Sequence, residues 1–304
     1  MYFAIDPACP SVSAEIFEAL CALRAHSTTP LELFALIDAA FDEALLANRR
    51  WIRQPKFSLY EHTALHGLTA AGPHLVPAPI EPDDQPSWLR DIFAACAGRP
   101  MLSILASALP APALRMHLRP YLVARTPDGM EWPVRWGDSR VLPALLEALE
   151  APQREHLLSP LQHWWSVSRS GTLTSWRGGA SPSPTPAAFD RLPVNDAVFS
   201  HLVDLAEADA VIADIHDTQP DLLRRHGGAA SHARVARHLG LANQHGITAA
   251  GARQHFSVLA LCLDEDFATH PAMRAALERT RAGADYRTEI AALPARFWQD
   301  AAPK

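Results

Sequence analysis

The chain has 304 residues, room for one large domain or two ordinary ones and too many for a peptide hormone or a disulfide-stapled mini-domain. Hydrophobic residues make up 48% and charged residues 20%, so there is apolar surface enough to offset the entropy of ordering, which excludes disorder across the whole chain. A formal net charge of −6 supplies no global basic field of the kind that draws nucleic acid or an anionic membrane.

In chain order, residues 13–25 predict a helix with Ser13 as N-cap and Ile16, Phe17, Leu20 and Leu23 on one face. The apolar run 31–38 (LELFALID) reads as a buried strand, and 39–48 has helical composition and spacing. Short strand-like runs follow at 57–60 and 74–76, then a helix over 87–97 stopped by Gly98-Arg99-Pro100. A strand is expected over 101–107 and a helix from Pro112 to Leu118. Two β-prone runs, 121–126 and 130–136, flank Pro127-Asp128-Gly129, a hairpin signature with glycine where positive φ is tolerated. From Ser139 onward, Val141, Leu142, Leu145, Leu146 and Leu149 mark a helical face.

Helices and strands alternate over residues 1–155, which predicts an α/β (α+β) N-terminal lobe with a mixed sheet. Residues 175–188 are rich in Gly, Ser and Pro, and place a connector within 156–190. A smaller all-α lobe is expected over 191–300. There, Val198, Leu202, Leu205, Ile212 and Ile215 form a helical stripe, Gly246 is a helix stop and Thr248 a helix start, and Phe256, Val258, Leu259, Leu261 and Leu263 predict a central buried helix. Further helices are expected over 271–281 and 285–293.

Catalytic signatures such as GxSxG, the P-loop, GxGxxG and HExxH are missing from the sequence. Cys9, Cys21, Cys96 and Cys262 are scattered, as suits a reducing compartment, and form no CxxC pair. The opening residues lack the charged and apolar regions of a signal peptide, and no run reaches the ~18 apolar residues of a membrane span, so a cytoplasmic location is expected. His62 and His66, spaced i, i+4, would share a helical face and offer two ligands to a metal-dependent hydrolase, but no third ligand is evident. A basic stretch holding Arg224, Arg225, His226, His232, Arg234, Arg237 and His238 is the candidate for a DNA-binding regulator, although an acidic segment precedes it; opposed helix faces of complementary charge are the plainer reading. A third cluster surrounds the hairpin: His117 and Arg119 before it, Arg135, Asp138 and Arg140 after it. Asp138 or Ser139 would cap the next helix, and arginines reaching Asp138 would form a polar staple between hairpin and helix rather than an active site.

Three stretches give the chain a resemblance to a known family. They are LFALIDAAFDEAL at 33–45, LYEHTALHGLTAAGPHLVPAP at 59–79 and HLRPYLVARTPDGMEWPVRWGDSRVL at 117–142. They resemble the type VI secretion system effector adaptor (chaperone) family, formerly a domain of unknown function, over roughly residues 31–155. His74 stands where that family usually has tyrosine, Gly137 where tyrosine is usual and Ser139 where proline is usual, while Arg135, Asp138 and Arg140 are retained. The resemblance implies a non-enzymatic cytoplasmic protein with no cofactor. Its partners would be a toxic effector protein and the valine-glycine repeat protein G (VgrG) spike onto which the effector is loaded. Trp164, Trp165 and Trp176, beside the connector, are candidate partner-binding anchors, because tryptophan is enriched at binding hot spots.

Overall fold

The computed structural model describes residues 2–48, 51 and 53–303. The chain divides into two compact units, one comprising Pro7–Leu202, the other the N-terminal residues up to Asp6 together with the chain from Val203 onward.

The first unit is built on a six-stranded sheet. Its strands are β1 (Glu32–Asp38), β2 (Phe57–Ser58), β3 (Pro73–Pro77) and β4 (Leu102–Ser107), joined later in the chain by two more. The hairpin gives β5 (Val123–Arg125) and β6 (Glu131–Pro133), and β7 (Leu161–Val167) and β8 (Leu173–Arg177) complete the large sheet in the order β2-β3-β1-β4-β7-β8. Every neighbouring pair in it is antiparallel. The mixing expected from the sequence is confined to a small second sheet, in which β5 pairs antiparallel with β6 and parallel with β9 (Leu192–Pro193). The hairpin strands, short and turned by a left-handed Gly129, never enter the large sheet.

Both faces of that sheet are covered, which is why β1 and β4 read as unbroken apolar runs rather than alternating ones. Leu33, Ala35 and Ile37 face α1 (Val12–His26) and α2 (Gln85–Ala95). Phe34 and Leu36 face the opposite layer, made of α3 (Ala111–Leu118), α4 (Leu142–Ala148) and α5 (Ala151–Leu158). The helix expected over 39–48 is instead a single 3-10 turn, Ala39–Phe41, followed by further turns through Asn48. The aspartates explain this: Asp38 accepts from Ala40 N at 3.2 Å and Asp42 from Ala44 N at 3.1 Å, local bonds that compete with helix propagation.

The connector expected at 156–190 is not a boundary in the structure, because β7 and β8 fall inside it. Trp164 and Trp165 project to opposite faces of the sheet and belong to its two cores. The Gly/Ser/Pro-rich segment after β8 runs irregularly but is tied down, with Ala180 N donating to Leu161 O at 3.0 Å and Ser181 N to Ser159 O at 2.8 Å.

The second unit is helical, as expected. The 23-residue α6 (Asp196–Thr218) carries the division between the units within its length. After it come α7 (Pro220–Arg224), α8 (Gly228–Gln244), α9 (Ala250–Cys262), α10 (Pro271–Arg281), α11 (Tyr286–Ala291) and α12 (Ala295–Asp300). Of the α6 stripe, Ile212 and Ile215 are buried, whereas Leu205 is exposed. Phe256, Leu259, Ala260 and Leu261 of α9 are buried, as its apolar composition predicts, although the helix is capped at Ala249 rather than Thr248. Gly246 adopts φ 68° and ends α8. The N-terminal residues join this unit because Asp6 Oδ1 accepts from Gly228 N at 2.8 Å and Ala229 N at 3.2 Å, satisfying free donors at the start of α8. No helix among the described residues is long and apolar enough to cross a membrane.

Candidate functional site

Four chain segments converge at the C-terminal end of β1. Asp38 N donates to Met101 O at 2.9 Å, Ala39 N to Gly72 O at 3.3 Å, and Ser139 N to Pro100 O at 3.0 Å. The loop after the hairpin, residues 134–141, therefore packs against the sheet end rather than only against its own helix. Asp38 is 1% exposed. A carboxylate so buried requires a partner, and it has Arg135, whose Nε donates to Asp38 Oδ2 at 2.9 Å. The pair is separated by 97 residues in sequence.

Asp138 holds the second arginine. Arg140 Nη2 donates to Asp138 Oδ2 at 2.9 Å and Arg140 Nε to Oδ1 at 3.1 Å, a bidentate fork, while Arg140 N donates to the same Oδ1 at 3.0 Å. Both guanidinium groups lie over the Phe41 ring, with Arg135 Cζ at 4.3 Å and Arg140 Cζ at 5.5 Å from its centroid. Tyr60 closes the inner side; burial, reinforced by the Asp38 charge and opposed by Arg135, pushes its phenol up to about 12. His74, on β3 beside it, has its Nδ1 2.9 Å from Gly72 O, and burial holds the imidazole below its ordinary value.

Gly137 and Ser139, two of the three departures from the pattern the chain resembles, each have a physical use here. A Cβ on Gly137 would stand 2.7 Å from Asp38 Cβ and 3.0 Å from Asp38 N, so the bare glycine lets the loop lie directly on the end of β1. Ser139 supplies the N–H that reaches Pro100 O, a donor that proline lacks.

The structure gathers only part of the staple expected from the sequence. Arg140 binds Asp138 as expected, but Arg135 turns to Asp38, and Arg119 donates to His62 O at 2.7 Å. Asp138 caps no helix: it lies four residues ahead of α4, whose N-cap is Val141, and its side chain serves the local turn. His117 belongs to a separate cluster. Its Nε2 lies 3.2 Å from Leu157 O and its ring stacks on His156 at 4.8 Å, while burial holds it below its ordinary value. In that cluster the Tyr121 hydroxyl is 2.6 Å from His156 Nδ1, and His156 Nε2 is 2.6 Å from Thr185 O.

Of the three candidate tryptophan anchors, two lie in the core. Trp164 and Trp165 are core residues, and Trp164 Nε1 donates to Ser103 Oγ at 2.9 Å. Both lie on a central strand, paired on each side, with their rings in the core. Trp176, on the edge strand β8, is half-buried against the same core as Trp164.

His62 and His66 share no helix, since His62 adopts φ 59° and a 3-10 turn begins only at His66. Their rings stack at 6.3 Å, and among the described residues no group of three or more His, Cys, Asp or Glu side chains is gathered to hold a metal ion. In the basic stretch, Arg234 donates to Ala260 O and Leu263 O at 3.0 Å each, and Arg237 pairs with Glu265 at 2.6 Å.

Sequence reasoning missed Asp38, Phe41 and Tyr60 as members of the junction. The one local signal was an aspartate ending an otherwise apolar strand run, where a buried charge has to find a partner. Chemically, each carboxylate is committed to an arginine and a backbone N–H, an arrangement suited to holding chain segments in place.

Residues 33–156 match the family model described as "Domain of unknown function (DUF4123)". That span begins on β1 and ends in α5, and contains every residue of the junction. No curated protein matches the chain, and no solved structure does.

Proposed function

We propose that the protein is a non-enzymatic adaptor that binds a type VI secretion effector in the cytoplasm and helps load it onto the VgrG spike. The observation that carries this reading is the match of residues 33–156 to DUF4123, a domain associated with type VI secretion effectors. The junction supports it: the arginine- and aspartate-bearing loop that carries the sequence resemblance anchors the fold, and its polar groups hold one another. A scaffold for a partner needs such rigidity, whereas a hydrolase needs a nucleophile beside a positioned base.

The test is affinity capture of the tagged full chain from its native host, with secretion genes expressed, and mass spectrometry of the eluate. Recovery of an effector or a VgrG protein in near-stoichiometric amount is the expected result. Partnerless protein under those conditions would overturn the reading.

A further inference from the structure

At the opposite end of β1 from the junction lies a groove of about 760 Å³, lined by residues that include Arg24, Glu32, Gln54, Pro79, Ile80 and Gln85. That volume is in the range of sites that accept specific ligands, roughly 300–1,000 Å³. Its wall is braced. Arg24 Nη1 donates to Gln85 Oε1 at 2.8 Å and Nη2 to Leu31 O at 3.1 Å, while Gln85 Nε2 donates to Pro79 O at 2.8 Å. These bonds tie the end of α1, the start of α2 and the exit of β3 together, and Gln85 itself is 2% exposed. The groove is therefore preformed, which lowers the ordering cost of binding.

Three features of its lining lack a counterpart. Glu32 has no cationic partner among the described residues, and burial alone pushes its carboxyl above the ordinary value. Gln54 Oε1 is shielded from solvent and accepts no hydrogen bond. The terminal amide torsion of glutamine is soft, so this oxygen can turn toward an incoming donor. On the lip, Ile80 is 93% exposed on a segment stiffened by Pro77, Pro79 and Pro82. Arg24, the one cation in the lining among the described residues, is already held by two neutral oxygens.

We propose that this groove docks an extended segment of a partner polypeptide, with a lysine or arginine side chain reaching Glu32 and Gln54 and an adjacent aliphatic side chain covering Ile80. The charge complementarity selects the basic residue: an unpaired carboxylate and an unpaired amide oxygen both call for donors, and a cationic donor also balances the carboxylate's charge. The exposed isoleucine selects a polypeptide over a free amine, because only a chain brings an apolar group alongside the cation. The inference rests on the adaptor reading only in taking the partner to be a protein.

The test pans a displayed random dodecapeptide library on the full-length protein and measures the enriched peptides by fluorescence anisotropy against wild type, Glu32→Gln and Ile80→Ser. Both substitutions are at exposed side chains, and circular dichroism checks that the variants fold. The expected result is a consensus of one basic residue beside an aliphatic one. Its affinity should fall at least tenfold in Glu32→Gln and several-fold in Ile80→Ser. A consensus without a basic residue, an acidic consensus directed at Arg24, affinity untouched by Glu32→Gln, or no enrichment would each overturn the proposal. So would self-association that Ile80→Ser abolishes, since a second copy would then be the occupant. Effector or spike capture undiminished in both variants would remove the groove and leave the adaptor reading standing. Peptide specificity without any captured secretion protein would do the reverse.

Discussion

The Asp38–Arg135 pair lends itself to a double-mutant cycle. Asp38→Asn keeps the shape of the side chain and an acceptor for Ala40 N, but removes the charge that Arg135 Nε binds at 2.9 Å. Removing one partner of a buried pair costs about 3–5 kcal/mol. Here the Arg135 side chain is 39% exposed, so solvent takes up part of the loss and the expectation drops to about 2 kcal/mol. Arg135→Gln leaves the buried Asp38 carboxylate with a backbone donor alone, and is expected to cost a similar amount. Because both changes remove one interaction, the double variant should fall short of their sum by at least about 1 kcal/mol. For a unit of this size, 2 kcal/mol corresponds to roughly 4–8 °C in Tm. Tryptophan fluorescence during urea and thermal unfolding is the assay, since every tryptophan except Trp298 lies in the sheet-bearing unit. Additivity within about 0.5 kcal/mol, or single variants as stable as wild type, would refute the reasoning that this pair fastens the loop to the sheet.

Gly137→Ala should destabilise the same transition by about 1–3 kcal/mol, because the new methyl meets Asp38 backbone and Cβ atoms rather than a yielding side-chain tip; urea unfolding measures it. Trp164→Ala should cost about 3–5 kcal/mol and damage the sheet-bearing unit as a whole, whereas Trp176→Ala should cost clearly less; loss of partner capture in a fully stable Trp164→Ala protein would contradict its core placement. Arg253→Met should destabilise the helical unit by about 2–3 kcal/mol, since the half-buried Glu207 loses its bidentate partner while Asn243 Oδ1 and Ile247 O lose their donor; far-UV circular dichroism follows it. Burial holds His74, His117, His163, His238 and His255 all below their ordinary value. The unfolded chain therefore takes up protons first as pH falls, so their contribution is complete above about pH 6.5 and lost progressively below it. Urea unfolding at stepped pH should show this decline, and His238→Gln should flatten it in the helical unit, where the ring stacks on Phe267 at 5.1 Å and faces Arg234 and Arg237.

What the sequence determined by itself was local. The Asp128-Gly129 turn, the buried strands at β1 and β4, the Gly246 stop and the apolar α9 follow from backbone preferences and side-chain periodicity within a dozen residues. The same local logic misread residues 39–48, where two aspartates bond their own backbone, and residues 156–190, where a compositional bias at the end concealed two sheet strands at the start. Arg140 finding Asp138, two residues away, was legible; Arg135 finding Asp38, 97 residues away, was not. Tertiary structure alone decided that Trp164 and Trp165 point into opposite cores, that Gly137 rests on Asp38, and that Glu32 lines a groove with no cationic partner among the described residues. The physical reason is common to all three. A side chain's type fixes what partner it needs, but which partner arrives is set by the strand order and register that bring distant segments together.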